Sequence, residues 1–288
     1  MKILVTGATG FIGNYIVKEL LRRKVAVIAS SSRAKEQIDS DWTDKVIYRQ
    51  CNIHEIGSEN LFHYFEKPDH AIHLAWGGLS NFKDEFHITK ELPAQKHFVR
   101  QLISSGLTSL TVTGTCLEYG NQEGELTEDM PAQPVVPYAV AKNELRQYLE
   151  HIGSTIPFDL RWVRLFYMYG KGQNPKSILA QLDAAIKRGD SEFNMSMGEQ
   201  WRDYLPVETI AQIVVIFAVQ RYKLGIMNCC SNKPISIRNL VEQYLKSHNK
   251  TLRLNLGYYP YPDYEPFRFW GSNKKQQSIL EHESSRTI

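Results

Sequence analysis

Ile3-Leu4-Val5-Thr6-Gly7-Ala8-Thr9-Gly10-Phe11-Ile12-Gly13 decides how the rest of the chain is read. An apolar run of strand length meets glycines spaced three apart. A helix pattern begins at once, with Ile12, Ile16, Val17, Leu20 and Leu21 on one face. A strand, a glycine turn and a helix start, in that order, put unpaired backbone N–H groups and the positive end of the helix dipole where a pyrophosphate can rest. The turn points to a bound dinucleotide.

Working outward, strand-like runs at 2–6, 25–29, 45–49, 70–74, 109–113 and 159–166 alternate with helix-length segments at 11–23, about 85–105 and about 137–151. That alternation predicts an α/β fold, a doubly wound parallel sheet of the Rossmann type, over residues 1–169. A Gly/Asn/Pro-rich break, Gly172-Gln173-Asn174-Pro175, leads into a helix at 176–188, a strand near 192–195, a helix at 207–221 and a strand near 226–229. Residues 204–230 are expected to complete the sheet. A smaller C-terminal substrate lobe is expected mainly within 170–270, from about 170–203 and 232–270. The polar stretch 271–288 is expected to be a flexible tail. Tyr258-Tyr259-Pro260-Tyr261-Pro262-Asp263-Tyr264-Glu265-Pro266 is too aromatic for a plain linker, and either covers the substrate site or closes the smaller lobe.

Composition narrows the class. With 288 residues, 42% hydrophobic and 23% charged, the chain can bury a sizeable core. A net charge of +3 without a dense basic block gives no reason to expect nucleic acid. Cys51, Cys116, Cys229 and Cys230 lack metal-ligand spacing, so no metal is expected and a reducing cytosol suits them. The N-terminus lacks a cleavable signal pattern. The longest apolar run, Ile213 to Val219, falls far short of the ~20 residues of a spanning helix. The expectation is a cytoplasmic protein with no membrane partner.

A second motif, Pro137-Tyr138-Ala139-Val140-Ala141-Lys142, sets a Tyr and a Lys four apart, on one face of a helix that Pro137 can start. A phenol with a pKa near ~10 becomes useful for proton transfer at neutral pH when a neighbouring ammonium favours its phenolate. Lys142 is one helical turn away.

The two motifs, in this order, resemble the extended short-chain dehydrogenase/reductase family, most of whose members act on nucleotide-linked sugars. Thr6-Gly7-x-x-Gly10-x-x-Gly13 is that family's form of the glycine turn. His73-Leu74-Ala75-Trp76 is similar to its His-Leu-Ala-Ala. Thr113-Gly114-Thr115-Cys116-Leu117-Glu118-Tyr119-Gly120 and Gly198-Glu199-Gln200-Trp201-Arg202-Asp203-Tyr204 are similar to its catalytic-hydroxyl and Arg-Asp-Tyr segments. The resemblance spans about residues 1 to 270. It implies that Tyr138 is the acid/base, that Lys142 also grips the nicotinamide ribose, and that Thr115 bonds the reacting oxygen. Gly7, Thr9, Gly10, Phe11, Ile12, Leu74, Ala75 and Trp76 would hold the cofactor, with Asn52 and Ile53 near the adenine. Cys116, Tyr167, Asn174 and Arg202 would meet the substrate, Arg202 at the diphosphate. Many relatives are homodimers, and a homodimer is implied.

Departures from the family pattern limit the chemistry. Cys116-Leu117 stand where family dehydratases carry Asp-Glu, so elimination is not expected and hydride transfer is. Glu91 and Tyr167 replace two common Asn residues. The second strand ends in Ser30-Ser31-Ser32-Arg33, hydroxyls and a cation that suit a 2′-phosphate, where NAD-binding versions carry an acid. NADP is the expected cofactor, with NAD possible. At finer grain the chain is similar to a subgroup acting at C4 of dTDP-6-deoxyhexoses for bacterial surface polysaccharides. A dTDP-4-dehydro-6-deoxyglucose reductase forming dTDP-fucose is the first expectation. A dTDP-6-deoxy-L-talose 4-dehydrogenase, a C4 epimerase, and an NADP-binding sensor or scaffold are the alternatives.

Overall fold

The computed structural model describes residues 1–220 and 222–285. The chain opens with β1 (Lys2–Thr6), α1 (Phe11–Arg22), β2 (Ala26–Ser31), β3 (Ile47–Gln50), α2 (Leu61–Tyr64) and β4 (His70–His73). It continues through α3 (Leu92–Ser104), β5 (Ser109–Thr115), β6 (Gly124–Leu126), α4 (Pro137–Gly153), β7 (Asp159–Leu165) and β8 (Tyr167–Tyr169). The remainder is α5 (Ile178–Arg188), β9 (Glu192–Asn194), β10 (Trp201–Arg202), β11 (Tyr204–Pro206), α6 (Val207–Val219), β12 (Gly225–Cys229), β13 (Ile235–Ser236), α7 (Ile237–Ser247), β14 (Arg253–Asn255), β15 (Phe269–Gly271) and α8 (Lys274–Ser284).

Seven strands make one parallel sheet in the order β12-β7-β5-β4-β1-β2-β3. This is the doubly wound Rossmann arrangement, with its switch point between β1 and β4. Side chains alternate across β1, so Ile3 and Val5 pack with Ile16, Val17 and Leu20 of α1 and with Ile210, Val214 and Phe217 of α6. Leu4 points the other way, onto Phe98, Val99 and Leu102 of α3 and Leu145 and Leu149 of α4. A strand covered on both faces has no place for an unpartnered polar residue, which is why β1 is apolar from Ile3 to Val5 and its buried Thr6 is bonded to His73. A separate apolar cluster joins Leu179 and Leu182 of α5, Phe193 of β9, and Leu240, Val241 and Leu245 of α7. The pairs β8·β11 and β6·β15 are small and both parallel.

Two expectations are corrected. The segment 85–105 is not one helix, because a π-helical stretch, His87–Glu91, precedes α3. Pro93 sits in the first turn of α3, and its ring supplies no N–H for the carbonyl four residues back, so the preceding turn widens. The 271–288 stretch is not a flexible tail over its described part. It carries α8, where Gln276 bonds both the N–H and the C=O of Cys230 at 3.1 Å, just past the edge strand β12. Ile279, 5% exposed, joins the main core. Residues 286–288 lie outside the described residues.

Candidate active site

The carboxyl ends of the central strands frame a cleft of about 660 Å³. One end of it is the glycine turn. Gly7 has φ +68°, and a Cβ there would lie 2.8 Å from the Ala75 nitrogen; one on Gly13 would lie 2.1 Å from the Gly7 carbonyl oxygen. The turn therefore needs glycine for its left-handed φ and for the close seating of α1. Thr9, Gly10, Phe11 and Ile12 line the cleft at the N-terminus of α1, where free N–H groups face it. Among the described residues this cradle fits a pyrophosphate.

The walls follow from the next strands. Ser30, Ser31, Ser32 and Arg33 line the cleft past β2. The Ser31 hydroxyl bonds Tyr48 Oη at 2.8 Å and accepts from Arg33 N at 3.2 Å, which leaves the Arg33 side chain exposed. Asn52 and Ile53 lie beyond β3. Asn52 accepts from His54 N at 3.2 Å, so this residue both closes a turn and faces the cleft. Leu74, Ala75 and Trp76 continue from β4 along the same cleft.

Thr115, Tyr138 and Lys142 meet in this cleft. Thr115 ends β5 and caps the next turn: its hydroxyl oxygen accepts from Leu117 N at 3.3 Å, while its N–H donates to Glu118 Oε1 at 2.9 Å. Among the described residues no acceptor for the hydroxyl proton is seen. Tyr138 starts α4 directly after Pro137, its N–H bonded to Phe82 O at 3.1 Å and its half-buried ring stacked on Phe82. Burial, then the Glu118 carboxylate and the Cys116 thiol, push its pKa up. Lys142, one turn on along α4, makes its own contacts with Thr113 and Trp76. Its buried ammonium donates to Thr113 O at 2.9 Å and lies 3.9 Å from the centroid of the Trp76 ring. Burial draws its pKa down to about 7, opposed by Glu118 and Glu91.

The expected substrate residues divide. Cys116, Tyr167 and Asn174 line the cleft beside Thr115, and burial pushes the Cys116 thiol pKa up, so it is an inert filler of the wall. Arg202 lies in an adjoining cleft of about 650 Å³ that Tyr167 and Asn174 also line, its guanidinium 5.9 Å from the Tyr167 ring centroid, but it does not line the cleft of Thr115 and Cys116. Its guanidinium, 3% exposed, is paired with Glu265 at 2.8 Å and bonds the Trp201 and Phe267 carbonyls. Glu265 also accepts from the Tyr167 hydroxyl and lines both clefts. The aromatic segment 258–266 thus reaches the substrate side of the molecule, with Asp263 bonded to Lys83 at 2.7 Å across the rim.

Sequence reasoning missed Glu265. It also missed a chain running inward from the exposed His54, which meets buried Glu91 at 2.9 Å; Glu91 accepts from Gln95 at 2.7 Å, and His73 bonds both Gln95 and Thr6. Glu91 was visible as a charge where the family pattern carries an Asn, but its partner His54 lies 37 residues away.

The sequence profile of the NAD dependent epimerase/dehydratase family matches residues 3–230. The chain belongs to this family. It is accordingly an NAD(P)-dependent enzyme acting on a CH–OH group. It is 29% identical over 275 residues to dTDP-6-deoxy-L-talose 4-dehydrogenase (NAD(+)) of Aggregatibacter actinomycetemcomitans, covering 94% of this chain and 100% of that one. Against UDP-glucose 4-epimerase of Mycolicibacterium smegmatis it is 27% identical over 227 residues, 75% of this chain and 72% of the other. The fold is shared with UDP-N-acetylglucosamine 4-epimerase of Methanobrevibacter ruminantium (TM-score 0.85, 19% identity, 96% and 91% of the two chains). It is shared too with the UDP-glucose 4-epimerase of Thermus thermophilus solved with NAD (TM-score 0.78, 20% identity, 98% and 93%).

Proposed function

We propose that this enzyme oxidises or reduces C4 of a dTDP-linked 6-deoxyhexose, as a dTDP-6-deoxy-L-talose 4-dehydrogenase. The observation carrying this reading is the similarity to the Aggregatibacter enzyme over that enzyme's whole length. It favours the talose enzyme over the dTDP-fucose-forming reductase expected from sequence. A role in bacterial surface-polysaccharide synthesis goes with that reading.

The glycine turn would hold the pyrophosphate, and Asn52 and Ile53 the adenine. When bound, the nicotinamide supplies the hydride chemistry. The chain's own residues would do the rest. Thr115 would donate its hydroxyl proton to the substrate's C4 oxygen and fix it in place. Tyr138, a phenol in the buried cleft, would give its proton to that oxygen during reduction; in oxidation it would first have to lose that proton, and as the phenolate would take the one released from the C4 hydroxyl. Lys142 would supply positive charge beneath both. Cys116 and Leu117 leave no acid beside Thr115 for elimination. The smaller lobe, 170–270, would hold the sugar and nucleotide, and a homodimer would form through α3 and α4.

Cofactor choice has support on both sides. Ser30, Ser31 and Arg33 favour NADP, and the printed name of the Aggregatibacter relative favours NAD. In the test, dTDP-6-deoxy-L-talose is offered with NAD⁺ and NADP⁺, and the product is read by NMR. A 4-keto product with stoichiometric reduced cofactor supports the reading. Turnover confined to dTDP-fucose returns the assignment to the reductase. Interconversion of C4 epimers with no net cofactor change makes the chain an epimerase. Arg33→Ala should raise the KM for NADPH and leave that for NADH unchanged; equal use of both cofactors by the unmodified protein removes the NADP preference.

A further inference from the structure

Trp76 occupies a position where the family pattern carries a small residue, and it is held on three sides. Its indole Nε1 donates to His87 Nδ1 at 3.1 Å. That bond requires the His87 proton to sit on Nε2, and Nε2 faces the Asn81 carbonyl at 3.0 Å. On either side of Trp76 the backbone is tied as well: the Ala75 carbonyl accepts from Gln95 Nε2 at 2.7 Å, and Gly77 N donates to Glu91 Oε1 at 2.9 Å. His87 and Glu91 are the first and last residues of the π-helical segment, so one irregular turn fixes both the ring and its backbone.

What this fixed ring touches is the catalytic pair. The Lys142 ammonium lies 3.9 Å from its centroid, well inside the range at which a π-face attracts a cation, and Tyr138 meets it edge-on at 5.9 Å. We propose that Trp76 is a positioning residue: its π-face holds the Lys142 ammonium against the Thr113 carbonyl and keeps it charged at working pH. The inference rests on the reading of Tyr138 and Lys142 as the proton-transfer pair.

The groups facing Lys142 make such a device necessary. Glu118, in the turn after β5, and Glu91, in the π-helical segment, favour the charged amine. Tyr138 lies one turn back on α4, a neutral phenol that offers no countercharge. His73, at the end of β4, stays neutral, since burial and the Lys142 charge lower its pKa to about 4. Against the two carboxylates stands full burial, which favours the neutral amine. A π-face adds attraction for the ammonium with no further charge to bury.

The test has two arms. In the first, the pH profile of kcat/KM is measured with the nucleotide sugar. Activity should fall as Lys142 loses its proton, so Trp76→Leu should move the alkaline limb to lower pH by about one unit. Trp76→Phe, which keeps a π-face, should restore most of the shift. Unchanged circular dichroism and melting would show that both variants fold. In the second arm, intrinsic fluorescence of the protein alone is followed from pH 5 to 9. A Trp76-dependent step should appear, identified by its loss in Trp76→Phe, and it should vanish in Lys142→Met. An alkaline limb at the same pH in Trp76→Leu, or a fluorescence step indifferent to Lys142→Met, overturns the proposal. If no nucleotide sugar is turned over, the proposed function fails, while the fluorescence arm still decides whether Trp76 and Lys142 are coupled.

Discussion

Glu118 has no exposure at all, and its carboxylate accepts from Thr115 N, Trp162 Nε1 and Arg164 Nε. Arg164 is equally buried, and its Nη1 already lacks a partner. Glu118→Ala would leave that buried guanidinium without its carboxylate and with only Tyr119 beside it, so urea denaturation should show a loss of about 3–5 kcal/mol. An unchanged midpoint would mean the pair adds nothing net to the fold. Tyr138→Phe removes one transferable proton from the cleft and no packing surface. Its kcat should drop about 10²–10⁴-fold while the cofactor Kd stays put, as measured by binding of the reduced cofactor; a variant with near-normal kcat would take Tyr138 out of the proton transfer. At this scale Tyr138 and Lys142 were legible as a pair because their spacing is one helical turn, while Thr115, on another element, came only from the resemblance. Arg202 was placed at the diphosphate by the resemblance, and its pairing with Glu265, 63 residues later, was not legible because nothing in the sequence says that the two meet.

The elements that sequence located well are those whose pattern is set by their own burial. β1, α1 and β5 read directly from apolar spacing, since each presents its apolar residues to the core at the period of its own backbone. α8 escaped because its residues are polar by composition, and only a few of them face inward. Ile279→Ala should cost about 2–5 kcal/mol in urea denaturation, and Ser278→Ala, on the exposed side, should stay within about 0.5 kcal/mol. Equal and negligible effects would make α8 a peripheral appendage. The π-helical turn escaped for a different reason. Pro93 announces a break in the helix, but the way it is relieved depends on what His87 and Glu91 find to bond, and those partners lie in the loop after β4 and, for Glu91, also at His54 and Gln95.

For the whole molecule, the sheet carries two histidines that burial keeps neutral. His70, bonded to Ser109 and Thr111, has its pKa lowered to about 3, first by burial and then by Arg161. His73 is lowered to about 4, chiefly by burial. Both values lie below the ordinary histidine value, so the unfolded chain takes up these protons first. The stability they carry is intact above about pH 6.5 and is lost as pH falls toward 4. Each histidine should lower the folded-to-unfolded ratio about tenfold per pH unit in that window. Chemical denaturation at stepped pH should show His70→Gln with a shallower slope than the parent; parallel slopes would mean His70 takes no part. The sequence by itself determined the parallel sheet, the glycine cradle and the Tyr-Lys pair, because each follows from backbone period or from neighbours within one helical turn. Only the tertiary structure decided that Lys142 turns to Trp76 and Thr113, that Arg202 is already paired, and that the last helix closes the sheet edge. Those outcomes depend on which distant groups are buried together, and burial is what makes an unpaired charge or backbone group costly enough to choose its partner.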